Sequence, residues 1–110
     1  MVGDNELDLK LYREKVVQEL KRRTDALMIV EGRLVEAQFE LERATRASRT
    51  ISGTTARIQI ESAHRGKLRA ALKVLEGERT EAKADLERAE QRLKEVDQRL
   101  DELLKEAQEV

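Results

Sequence analysis

The sequence predicts an all-α protein: a long antiparallel two-helix coiled-coil hairpin, with two hairpins pairing into a four-helix assembly. Three observations carry this expectation. The composition is that of long helices, the apolar residues repeat every seven positions, and one cluster of turn-forming residues lies near the middle. Of the 110 residues, 41% are charged, 39% hydrophobic and only 2% aromatic, and there is neither proline nor cysteine. Few aromatics leave little material for a globular core, whereas abundant Ala, Leu, Glu, Lys and Arg suit helices. Disorder is the competing reading of a charge-rich chain, and the strict spacing of the apolar residues argues against it.

The first helix is expected over residues 6–49, capped by Asp4 or Asn5. Within it Val16, Leu20, Arg23, Leu27, Val30, Leu34, Ala37, Leu41, Ala44, Ser48 and Ile51 alternate in steps of four and three. Arg23 and Ser48 are its polar interruptions. A sustained heptad keeps one narrow stripe facing a partner helix and imposes a left-handed supercoil. A globular helix would show a wider stripe at a 3.6-residue period.

The turn is expected over residues 50–55, where Thr50, Ile51, Ser52, Gly53, Thr54 and Thr55 follow one another. Ser, Thr and Gly in succession favour local side-chain to backbone bonds and positive φ. The second helix is expected over residues 56–107, capped by Thr54 or Thr55. Its stripe is Leu68, Leu72, Leu75, Arg79, Ala82, Leu86, Ala89, Leu93, Val96, Leu100, Leu103, Ala107 and Val110, with Arg79 the one polar member. Gly32 and Gly77 fall inside the helices, each costing about 1 kcal/mol relative to Ala, through close packing or simple tolerance. Residues 1–110 thus read as a single helical-hairpin domain.

In an antiparallel hairpin the numbers of facing residues sum to a constant. A sum of 109 pairs Ile51 with Ile58, Leu41 with Leu68, Ala37 with Leu72, Leu34 with Leu75 and Val30 with Arg79. The same sum pairs Leu27 with Ala82, Arg23 with Leu86, Leu20 with Ala89 and Val16 with Leu93. Leu meets Ala in several layers, which keeps the helix separation even, and Arg never meets Arg. Each seam arginine has an acid within reach: Asp85 for Arg23 and Glu31 for Arg79. Outside the seam stand Leu7, Leu11, Val17, Met28, Ile29, Val35, Phe39, Val74 and Leu104. Of these, Met28, Val35, Phe39 and Val74 form a candidate flank for self-association, and a homodimer is expected.

The net charge of −1 hides a segregation. Residues 43–73 carry eight bases against the single acid Glu61, while residues 1–42 total −3 and residues 74–110 total −5. Arg43, Arg46, Arg49, Arg57, Arg65, Lys67 and Arg69 are the candidate partner-binding residues of a basic tip. Such a tip suits an acidic protein surface or phosphate.

No catalytic, cofactor-binding or metal-binding constellation is legible. His64 is the only histidine, the acids recur at spacings that suit i to i+4 pairing, and no phosphate-binding or dinucleotide fingerprint occurs. With no run of roughly 18 apolar residues and no secretory signal pattern, a soluble cytoplasmic protein without membrane contact is expected.

Residues 68–100, LRAALKVLEGERTEAKADLERAEQRLKEVDQRL, resemble the long-hairpin stalk proteins of flagellar and type III secretion export ATPases. That resemblance implies an export-ATPase-associated factor. From the residues alone, the leading expectation is a non-enzymatic coiled-coil structural or adaptor protein that binds a protein partner through its basic tip or apolar flank. The alternative is a nucleic-acid-binding helical arm. The scarcity of stacking aromatics and the acidic stem argue against that alternative.

Overall fold

Strong helix formers at most positions, with no proline to interrupt them, leave only the central cluster as a natural break. A computed structural model of the chain describes residues 2–49 and 53–109, with side chains from Glu6 onward. Two long helices pack against each other: α1, Val2–Arg49, and α2, Thr55–Gln108. The expected turn residues Thr50, Ile51 and Ser52 lie outside the described residues. The Thr54 carbonyl accepts the Ile58 N–H at 3.2 Å, the first i to i+4 bond of α2. Thr54 therefore occupies the N-cap position, one of the two residues expected there.

At its other end the prediction needs correcting. α1 begins at Val2, so Asp4 and Asn5 lie inside its first turn and do not cap it. An acid within the first turn complements the positive end of the helix dipole, so the same residue type that signals a cap also permits the helix to start earlier.

The chain divides into two compact units, one made of Met1–Leu27 with Ala82–Val110, the other of Met28–Glu81. In the first, Arg13 Nε lies 2.6 Å from Asp97 Oδ1, and Arg23 Nη1 lies 3.3 Å from Asp85 Oδ2. In the second, Arg79 Nε lies 3.6 Å from Glu31 Oε1, and Arg65 Nη1 donates to Ser48 Oγ at 3.0 Å. Within each unit, a step forward along α1 meets a step backward along α2, so the helices run antiparallel. The three cross-helix ion pairs sum to 110, 108 and 110 in residue number, each within one of the expected 109.

Burial follows the heptad stripes. The buried residues are Val16, Leu34, Leu72, Ala89, Val96 and Leu103, all of them stripe members. Every other stripe position from Val16 to Ser48 and from Leu68 to Leu103 is half-buried. Ala89, at 1% exposure, is the most enclosed of them. Its expected partner is Leu20, so a large side chain meets a small one there. Beyond Val16 the register continues with half-buried Leu9 and Leu100, and then with Glu6 and buried Leu103. One hollow lined by Asp8, Leu9, Tyr12, Arg99 and Leu103 joins these turns of α1 and α2.

The apolar seam is shorter than expected at both ends of α2. Ala107 is exposed. Ile58 is 52% exposed, and Ile51, its expected partner, lies outside the described residues. In its place the stripe continues through half-buried Glu61 and Arg65. A Cβ built on Gly32 or Gly77 meets nothing within 4 Å, so close packing inside the hairpin is not their reason.

Candidate functional site

The last turns of α1 and the first turns of α2 carry the basic segment, all within the unit Met28–Glu81. Heptad geometry decides which of its cations are free. Arg43, Arg46, Arg49, Arg57, Lys67 and Arg69 fall off the seam and are exposed. Arg65 falls on the seam and is half-buried. Helical side chains tilt toward the N-terminus of their own helix, so Arg65 reaches one turn back and meets Ser48 instead of the layer directly opposite. Ser48 Oγ in turn donates to the Thr45 carbonyl at 2.7 Å. Arg65 Nε is buried without a hydrogen-bond partner. The structure thus separates Arg65, a seam residue, from the other six candidates.

Ion pairing sets this segment apart. Among the described residues, ion pairs join Glu6 with Lys10, Arg13 with Asp97, Glu19 with Arg22 and Arg23, and Asp85 with Arg23 and Arg88. The others join Glu31 with Arg79, and Arg99 with Glu102. None involves a residue of the segment 43–73. Helix electrostatics explains part of that placement and not the rest. Arg46 and Arg49 lie in the last turn of α1, where a cation favours the exposed carbonyls. Arg57 lies near the start of α2, whose first turn holds no acid, and there a cation opposes the helix dipole.

Two shallow hollows open beside these cations. One is lined by Leu41, Glu42, Thr45, Arg46 and Arg49, the other by Glu40, Arg43, Ala44, Ala47, Glu61 and His64. Thr45 Oγ1 donates to the Leu41 carbonyl at 2.8 Å, so this hydroxyl serves the helix end. Among the described residues no group of three His, Cys, Asp or Glu side chains is placed to hold a metal ion.

Comparison with protein-family models, curated proteins and solved structures finds no match. The arrangement of residues is therefore the whole basis for a functional reading.

The apolar flank is the second candidate. Met28, Val35, Phe39 and Val74 are all exposed, Met28 at 65% and Phe39 at 63%. Val35 and Phe39 line one hollow with Glu36, Glu40 and Arg43. Met28 and Val35 share a heptad position, and Phe39 stands one turn further on the same outer face of α1. Val74 occupies a different heptad position on α2, the one shared by exposed Ile60. In an antiparallel pair that position lies on the other side of the seam from Met28 and Val35. Sequence reasoning did not single out Ile60; a helical wheel of α2 would have found it.

No helix among the described residues is long and apolar enough to cross a membrane.

Proposed function

We propose that the chain is a non-enzymatic coiled-coil adaptor that engages an acidic protein surface through the exposed cations flanking its central turn. One observation carries this reading: Arg43, Arg46, Arg49, Arg57, Lys67 and Arg69 are exposed, and none belongs to an ion pair among the described residues. Elsewhere among the described residues, seven of the fourteen cations are matched with acids. Arg57 adds to it, because its position costs the helix a few tenths of a kcal/mol and gains no internal partner. An unpaired cation cluster raises the local potential and steers acidic surfaces toward it. The reading places the protein in the cytoplasm.

The test replaces Arg43, Arg46, Arg49 and Arg57 by Gln and compares partner capture from a cell extract with that of the unaltered chain. Helicity is expected to be unchanged and capture to fall, and capture by the unaltered chain is expected to weaken with salt, since exposed charges are screened beyond about 10 Å at 0.1 M. Equal capture by the two proteins would remove the cations from the account. Capture that disappears on nuclease treatment would instead assign the segment to nucleic acid.

A further inference from the structure

Two outward stripes remain uncovered in the unit Met28–Glu81, one on each helix. On α1, Met28, Gly32, Val35 and Phe39 recur in steps of four, three and four, the spacing of the seam itself, yet all four are exposed. On α2, Ile60, Ala63, Lys67, Ala70 and Val74 recur in steps of three and four and are likewise exposed, Ile60 at 69% and Val74 at 62%. Gly32 sharpens the point: a Cβ there would meet nothing, so its cost to the helix is not offset inside the chain. Within an exposed apolar stripe, a missing side chain lets another helix approach closely.

The two stripes are complementary in shape and charge. The α1 stripe carries the larger side chains and more acids than bases at its border: Asp25 and Glu42 extend it at either end, and Glu36 and Glu40 share the Val35–Phe39 hollow with Arg43. The α2 stripe is small at its centre, at Ala63 and Ala70, and bears Lys67, with Arg69 and Lys73 beside it. None of these acids or bases takes part in an ion pair among the described residues. A lysine stem can cover apolar surface while its ammonium reaches an acid at the edge.

We propose that the α1 stripe of one copy docks on the α2 stripe of a second copy, with Lys67 and Lys73 facing Glu36 and Glu40. Both stripes point away from the shared seam, each from its own helix, so a chain cannot satisfy its own. The contact joins unlike surfaces and therefore leaves one free stripe at each end of a pair, from which a third copy can add. This interface does not depend on the adaptor reading, although it shares Lys67 with the exposed cations and Arg43 lines the Val35–Phe39 hollow.

The experiment is sedimentation of the full chain over a range of concentrations. The expected mass exceeds one chain and keeps rising past the dimer as concentration increases. Val35→Gln with Phe39→Gln is expected to weaken assembly by about tenfold, a magnitude typical of central interface residues, with the circular dichroism unchanged. The decisive arm reverses charge. Glu36→Lys with Glu40→Lys, and separately Lys67→Glu with Lys73→Glu, should each give a single-chain mass, and mixing the two variants should restore assembly. A single-chain mass for the unaltered protein at all concentrations would overturn the proposal. So would a dimer that the Lys67 and Lys73 reversal leaves intact, since that would place α1 against α1.

Discussion

Arg23 and Arg79 occupy the same kind of seam position, but their environments differ. Arg23 donates from Nε to Glu19 at 2.8 Å and from Nη1 to Asp85 at 3.3 Å. The Asp85 carboxyl also accepts a hydrogen bond from Arg88, and that bond, followed by the charges of Arg23 and Arg88, holds it below its ordinary value of 3.8. Arg79 Nε has only Glu31 at 3.6 Å, an ion-pair distance too long for a hydrogen bond, and the atom is buried without a partner. Replacing a buried unsatisfied polar group by an apolar one of similar size recovers its desolvation cost. Arg79→Leu, opposite Val30, is therefore expected to raise stability, by up to about 1 kcal/mol because the side chain is 43% exposed. Arg23→Leu should gain less, because Asp85 then loses one of its two cations. Urea melts of the two variants check this, and a destabilised Arg79→Leu would show that the arginine stabilises the seam. Both acid partners were legible from the register, since each stands within one residue of the layer it serves. The Arg65 to Ser48 bond was not. Counting layers treats side chains as points, and a tilted arginine spans a full turn.

At the scale of the element, periodicity carries far and the ends carry little. Each stripe position from Val16 to Ser48 and from Leu68 to Leu103 is buried or half-buried, as a seven-residue repeat requires. Helix ends depend on about 1 kcal/mol in capping and dipole terms, which is why Asp4 and Asn5 misled. The stripe predicts where polarity is not tolerated. Leu34→Asp would bury an unpaired carboxylate in a layer that is 7% exposed, and is expected to cost several kcal/mol, a large share of the stability of a small fold. Ala107→Asp, at an exposed position, should stay within about 0.5 kcal/mol of the unaltered protein. Thermal melts followed by circular dichroism compare them. Equal effects would mean that the heptad stripe does not mark the core.

Across the whole molecule, charge and apolar residues are segregated along the chain, and only part of what this means is visible in sequence. The net +7 of residues 43–73 is a matter of counting. Which of those cations are exposed required the helix faces, and Arg65 stands half-buried on the seam, bonded to Ser48. The apolar flank was legible on α1, where Met28, Val35 and Phe39 share an outer face. Its counterpart on α2 was obscured because small residues and Lys67 dilute the apolar signal around Ile60 and Val74.

The central claim is that α1 and α2 pack antiparallel within one chain, in the register where facing numbers sum to about 109 (as the cross-helix ion pairs show). The most direct test is a distance between spin labels at positions 14 and 95. Both are exposed glutamates and the chain has no native cysteine, so Glu14→Cys with Glu95→Cys labels two sites cleanly. With labelled chains diluted in unlabelled ones, a short intramolecular distance is expected, on the order of 10–20 Å given helix axes about 10 Å apart. One continuous helix would separate the labels by about 120 Å at 1.5 Å per residue. A short distance that vanishes on dilution would instead mean that the helices meet between chains. Either result would contradict the hairpin.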